Sequence, residues 1–327
     1  MKNLQMALSG VLALQLVLAT GLFWESTSRQ QAQAQATQLV QTETNALQRL
    51  EIAGDDEHVT LVRKDGQWLL PELHDLPVNG DKLDTLLEKL TALKGNWPVA
   101  TSNSARERFE VAEEKFRKHL KLYSAEGDKP ALELFVGTSP GFRKVHVRRA
   151  DDDAIYAVEL NSFDLPTTTD SWLDKSLLAA GTLEQIQGPD YALEKAEDGW
   201  KFAAADSGDG EQTPAVDPGK ARELAAALEK LRITKAVDNA SESALQAEET
   251  EIVVQTSEGE RRYHFASADD KYYVRRDDRE QLFEISQHDF DRVTNKRRQD
   301  LVLIEREEEE QTAEEKAEST KEEATQS

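Results

Sequence analysis

KVHVRRADDDAIYAVELNSFD at residues 144–164 and KYYVRRDDREQLFEISQHDFD at residues 271–291 align without a gap. Val147, Arg148, Arg149, Asp151, Ile155, Val158, Phe163 and Asp164 meet Val274, Arg275, Arg276, Asp278, Leu282, Ile285, Phe290 and Asp291, all at one constant offset. Apolar and polar residues alternate on both sides of an acidic turn, the pattern of a two-stranded antiparallel pair. Upstream, Val78, Lys82, Leu86, Leu90 and Leu93 find partners at a second constant offset in Val216, Lys220, Leu224, Leu228 and Leu231. Leucines spaced by four and three predict a helix in each copy. Asn79 and Asp217 stand where N-caps belong, and Pro218 falls in a first turn, where its missing N–H costs nothing.

Further out, HVTLVRKDGQWLL (58–70) and YALEKAEDGWKF (191–202) read as hairpins around turn glycines. Trp68 and Trp200 follow those glycines and are expected to pack their sheets onto the next helix. Short strands at 97–101 and 234–237 should follow the helices. HLKLYS and ALELFVG in the first copy, with EIVVQT and RRYHFA in the second, supply further strands. Each copy is then a hairpin, a helix, a strand and an antiparallel meander that ends in a short helix. The expected fold class is α+β: two tandem copies of an antiparallel-sheet-plus-helix repeat, residues 47–180 and 181–304, behind one N-terminal transmembrane helix.

That helix is expected from residues 6–24, nineteen residues without a charge. As a helix they span about 28 Å, close to the roughly 30 Å hydrocarbon core. The run is longer than the apolar stretch of a cleaved signal peptide. Small-residue steps at Ala19 and Gly21, and at 32–36, keep cleavage open as the alternative. Phe23 and Trp24 suit the far interface. Lys2 lies before the helix, whereas Glu25 and Arg29 cancel after it, a bias towards an inside N-terminus. The expected topology is an anchor over 1–25 in a bacterial cytoplasmic membrane and a stalk over 26–46, with the body in the periplasm.

Lys and Arg total 40 against 63 Asp and Glu, a net charge of −23 that repels phosphate backbones and speaks against nucleic acid as a partner. Residues 305–327 hold ten Glu against Arg306, Lys316 and Lys321, and read as a solvated, disordered tail. Cysteine is absent, which excludes disulfides and thiolate chemistry.

RKDGQW (63–68), LLEKL (86–90), VATS (99–102), RERF (106–109), GTSPGFRKVHVRR (137–149), YAVEL (156–160) and DSWLDKSLL (170–178) together resemble the bacterial family catalogued as domain of unknown function 4340. The resemblance implies a single-span, membrane-anchored protein encoded beside ABC-type transport components related to those of gliding motility. Permease and ATPase subunits are the implied partners, and an accessory role is the implied function. The family brings no catalytic residues with it. The second copy lacks counterparts of the GTSPGFR loop and of DSWLDKSLL.

His58, His74, His119, His146, His264 and His288 show no zinc-ligand spacing, and neither a phosphate-binding glycine loop nor a nucleophile elbow is present. No cofactor, metal or catalytic constellation is expected. His146, between Val145 and Val147, is expected on a solvent face. Asp151, Asp152 and Asp153 read as a hairpin turn. The best candidate contact site is the loop with Gly137, Pro140, Gly141, Phe142 and Arg143, where Arg143 and Arg148 would grip a carboxylate or phosphate. Against it stands the reading in which Arg148 and Arg149 pair with the acidic turn, as Arg275 and Arg276 do beside Asp277 and Asp278. Trp172, Leu177 and Leu178, on a short amphipathic helix, form a candidate partner patch, or else close the first copy. Two rival functions stay open: a periplasmic enzyme acting on an envelope polymer, and a structural envelope protein without a transporter.

Overall fold

The computed structural model describes residues 37–124, 129–203, 214–237 and 249–304. The expected anchor and acidic tail, and the start of the stalk, lie outside the described residues. Among the described residues no helix is long and apolar enough to cross a membrane. What is described is mixed α and β, chiefly antiparallel sheet with a few helices.

The chain divides into two compact units between Asp174 and Lys175, ahead of the expected join after residue 180. The chain at 175–180 is tied into the second unit. Ile233 N–H donates to Lys175 O (2.9 Å), Ala180 N–H to Leu228 O (3.0 Å) and Tyr263 Oη to Leu178 O (2.9 Å). At the other end, the first unit takes in residues expected in the stalk. Leu39 and Val40 are buried, and Leu39 N–H donates to Leu93 O at 3.0 Å.

In chain order the first unit holds β1 (Thr37–Gln38), β2 (Arg49–Ala53), β3 (His58–Lys64), β4 (Gln67–Leu70), β5 (Leu76–Pro77), β6 (Lys94–Gly95) and β7 (Pro98–Ala100). It continues with β8 (Val111–Ala112), β9 (Lys115–Phe116), β10 (Lys118–Tyr123), β11 (Leu132–Val136), β12 (Lys144–Arg149) and β13 (Ile155–Glu159). Its main sheet runs β5-β4-β3-β2-β10-β11-β12-β13-β7, while β1 pairs with β6 and β8 with β9. The hairpin turn between β3 and β4 places Asp65 at φ 50° and Gly66 at φ 84°, the left-handed pair that a two-residue hairpin requires.

The helix Gly80–Thr91 starts where Asn79 Oδ1 accepts from Lys82 N–H at 2.9 Å. It buries Leu83, Leu86, Leu87 and Leu90, of which Leu86 and Leu90 belong to the row read from the sequence, and Leu93 is buried just past its end. The sheet buries Leu50, Ile52, Val59, Leu61, Leu120, Leu122, Val145 and Val147. Trp172 fixes the start of this helix. Its carbonyl accepts from Asn79 N–H (2.7 Å), its indole donates to Pro166 O (2.9 Å), and Lys82 lies 4.8 Å over its ring.

The second unit comprises β14 (Leu183–Gln187), β15 (Ala192–Ala196), β16 (Gly199–Phe202), β17 (Ile233–Val237), β18 (Thr250–Thr256), β19 (Gly259–Ala268), β20 (Lys271–Arg276) and β21 (Leu282–Ile285). Their order is β16-β15-β14-β18-β19-β20-β21-β17. The helix Pro218–Glu229 begins at Asp217, whose Oδ1 accepts from Gly219 N–H (2.8 Å) and Lys220 N–H (3.0 Å), with Pro218 at the first position. In both sheets the strand after the helix pairs with the last strand of the meander: β7 with β13, and β17 with β21. The meander ends in the helix Gln287–Thr294 in the second unit but only in a 3₁₀ turn, Ser162–Asp164, in the first.

Leu228 is fully buried, so Leu228→Ala should lower the unfolding free energy by about 2–5 kcal/mol. Asp217→Ala, which removes one cap, should cost about 1 kcal/mol. Urea unfolding of the two variants followed by circular dichroism checks both magnitudes and their order.

Candidate functional site

Strand β12 is buried along most of its length on both faces, which the alternation in KVHVRR does not announce. Val145 and Val147 point one way. His146 and Arg148 point the other, towards a cap formed by the helix Asn103–Arg108 and the β8–β9 hairpin. Ala105, Val111, Phe135 and Ile155 make a second small core there, with Phe109 and Phe116 packed against it.

Arg148 is 1% exposed. Its Nε donates to Val111 O (2.8 Å), Nη1 to Arg149 O (3.1 Å) and Asp152 O (3.3 Å), and Nη2 to Glu113 Oε1 (2.9 Å). The guanidinium also lies 4.7 Å over the Phe135 ring. Its donors thus join the cap, the end of β12 and the acidic turn, and they hold the Glu113 carboxyl below its usual range. The expected grip of Arg143 and Arg148 on one anion does not form. The two lie at opposite ends of β12, about 16 Å apart along an extended strand, and protein acceptors already take four of the five Arg148 N–H groups.

The pairing with the acidic turn belongs to Arg149, whose Nε and Nη2 meet Asp151 Oδ1 and Oδ2 at 2.8 and 2.7 Å. Arg276, which aligns with Arg149, makes the same fork on Asp278 at 2.5 and 2.9 Å. Arg275, which aligns with Arg148, is instead partly exposed beside Glu249 and Asp277.

His146 is also not on a solvent face. Its Nδ1 lies 2.9 Å from Thr138 Oγ1, its ring 4.3 Å from that of Phe109, and burial lowers its proton affinity. His119 stacks on Phe135 at 4.3 Å and reaches Glu133 at 2.7 Å; burial outweighs that carboxylate and lowers its proton affinity too.

Gly137 is the hinge between loop and cap. A Cβ there would stand 1.9 Å from Phe109 O, and Thr138 N–H donates to that same carbonyl at 2.9 Å. The rest of the loop is exposed: Pro140, Gly141, Phe142 and Arg143. Ser139 Oγ lies 2.8 Å from Gly141 O and 2.6 Å from Lys144 O and shares its one proton between them, which shapes the turn, and Arg143 sits at φ 53° with its guanidinium 4.9 Å over the Phe142 ring. Below the loop opens a cleft of about 670 Å³ lined by Lys89, Phe142, Arg143, Lys144, Glu159 and Asp164. Lys89 is paired with Asp164 at 2.8 Å.

The candidate patch of Trp172, Leu177 and Leu178 is not presented to a partner. Trp172 and Leu178 are fully buried, and in place of an amphipathic helix the segment holds a 3₁₀ turn, Thr169–Ser171, followed by irregular chain. Trp172 closes the first unit and Leu178 is bound into the second, while Leu177 is half-buried.

Another cleft, about 760 Å³, gathers Asp56, Glu57, Glu110, Lys115, Arg117 and Thr167. Glu110 is held at 2.5 Å by Arg117 and Glu57 at 3.0 Å by Thr167. The displaced carboxyls Glu110, Glu113, Asp151 and Asp278 all move downward beside an arginine, which keeps them ionised and suits ion pairing rather than proton donation. Among the described residues no group of three or more His, Asp or Glu is arranged to hold a metal ion.

Arg148→Ala should destabilise the first unit by about 3 kcal/mol, since it strands buried carbonyls, whereas Arg275→Ala should stay within about 0.5 kcal/mol. Denaturant midpoints of the paired variants read this out. Folding keeps His119 and His146 neutral where the unfolded chain takes protons. Stability from this source is therefore full above the ordinary imidazole value of 6.5 and falls as pH drops below it. In the double variant His119→Gln/His146→Gln, unfolding midpoints measured between pH 7 and pH 5 should lose that part of their slope.

No curated protein and no solved structure matches the chain. Residues 68–250 match the model of one family, described as a domain of unknown function (DUF4340), over more than half of the chain and across the whole of the cap, the loop and the first helix. The chain belongs to the domain of unknown function 4340 family.

Proposed function

We propose that this protein is a non-enzymatic, membrane-anchored, extracytoplasmic accessory subunit of an ABC-type transport system, with its two units serving as a protein-binding or substrate-handling platform. The observation that carries the reading is the uncharged run at residues 6–24 in front of a folded body. The transporter enters through the family resemblance, and permease and ATPase subunits are its partners. The two units are diverged copies of one repeat in this reading. It is supported by their like strand order, by the constant offset between the capped helices and by the recurrence of the Arg–Asp fork at aligned positions. The GTSPGFR loop at 137–143, for which the second copy has no counterpart in sequence, makes the first copy the specialised one.

Protease treatment of intact spheroplasts carrying a C-terminally tagged chain tests the topology. Loss of the tagged body is the expected result, and a protected body would overturn it. Mild detergent extraction and affinity capture then test the partner. Permease and ATPase subunits should co-elute at stoichiometric yield, and their absence would leave a structural envelope protein.

A further inference from the structure

We infer that the tip of the first unit between β11 and β12, together with the turn after β13, is a phospholipid-facing lip: Phe142 and Phe163 seat in the headgroup layer while Arg143 and Lys144 bind lipid phosphate. The inference rests on the membrane-anchored reading above.

Phe142 and Phe163 are 86% and 85% exposed, more than any other large apolar residue among those described. They project from one end of one hairpin. Lys144 pairs with Glu159 at the margin of the β12–β13 ladder, so the register carried outward sets Phe142 opposite Asn161, two residues before Phe163. Both are held out rather than left loose. Asn161 Oδ1 accepts from Phe163 N–H at 3.1 Å, and the Ser139 hydroxyl bonds both Gly141 O and Lys144 O.

The second unit shows that folding does not demand these residues. The turn at the aligned position is Asp269–Asp270, with φ of 51° and 58°, and Asp270 matches Arg143 at 53°. Asp suits left-handed backbone better than Arg does, so the turn prefers the residues it lacks in the first unit. Phe290, which aligns with Phe163, packs 4.9 Å from Tyr272 and 6.3 Å from Phe265. Of the four residues, the second unit packs the counterpart of Phe163 and has carboxylates in place of Phe142 and Arg143, while Lys144 recurs as exposed Lys271.

Rings flanked by guanidinium and ammonium groups suit the bilayer interface, where apolar and phosphate layers adjoin. Lys89 is spent on Asp164, but no ion pair ties Arg143 or Lys144 among the described residues. The acidic tail of this chain has the complementary charge but, apart from alanine, no apolar side chain to cover two phenyl rings. A net charge of −23 gives no long-range attraction to anionic lipid, so the contact works through tethering, which keeps the lip at high effective concentration beside the bilayer.

The chain has no cysteine, so Gly141→Cys gives one labelling site beside intact Phe142, at a position where an added Cβ meets nothing within 4 Å. Full-length protein carrying a nitrobenzoxadiazole label there, or at exposed Gln67→Cys as a control, is reconstituted into phosphatidylcholine–phosphatidylglycerol vesicles. Nitroxide-bearing lipid should quench the label at 141 several-fold more than the label at 67. Phe142→Ser/Phe163→Ser and Arg143→Glu/Lys144→Glu should each return it to the control level, with circular dichroism unchanged. Equal quenching of both sites by aqueous iodide in chain that floats with the vesicles overturns the lip and leaves the anchor standing. Chain that does not float overturns both. A label shielded only on addition of transporter subunits, and never by lipid, also overturns the lip and makes the surface a protein-docking one.

Discussion

The guanidinium of Arg148 is the constraint on which the arrangement of the first unit turns. Buried cations are costly unless each N–H finds an acceptor, and this one finds the cap at Val111 and Glu113, its own strand at Arg149 and the acidic turn at Asp152. Because the donors form a rigid fork, those three segments are fixed relative to one another. Gly137 makes the approach feasible by giving up its side chain where the cap crosses the loop. The aromatic stack of Phe135, His119 and Phe116 then fills the space beneath. The loop is moored to this block at Thr138, whose N–H donates to Phe109 O, and Ser139 shapes the turn beyond it.

The elements legible in the sequence are those specified locally. Asn79 and Asp217 announce helix starts because a short acceptor side chain before an apolar row has few other uses, and the Lys64-Asp65-Gly66 turn announces its hairpin because few residues tolerate left-handed backbone. The Arg149–Asp151 fork is visible as one of two readings through its repetition in Arg276 and Asp278. The second face of β12 is not legible. KVHVRR alternates as a half-exposed strand would, and only the consecutive Leu134, Phe135 and Val136 next to it mark a sheet covered on both sides. That is why the alternation points His146 to solvent, where the fold buries it together with Arg148. Trp172 leaves two readings open in sequence for a related reason, since an apolar segment near a domain boundary looks the same whether it covers its own unit or awaits another; its burial is that of the closing reading.

Within each unit the scaffold and its outer face separate cleanly. The scaffold is an antiparallel sheet, of nine strands in the first unit and eight in the second, plus a capped helix, and it is filled with aliphatic residues. Its outer face differs: the first unit buries an arginine beneath a cap where the second leaves Arg275 beside Glu249 and Asp277. Function divided between two such units can change in one without disturbing the fold of the other, since the residues that differ are not those that fill the main core.

The strand order has a further consequence for the chain as it is made. Strand β2, which ends at Ala53, pairs on one side with β3, its neighbour in sequence, but on the other with β10, which does not begin until Lys118. At ordinary synthesis rates that interval is roughly 3–13 s. Through it the nascent first unit presents a bare strand edge bearing Leu50 and Ile52, a template for pairing with other chains. Whatever escorts this protein out of the ribosome must shield that edge until residues 118–123 arrive to occupy it.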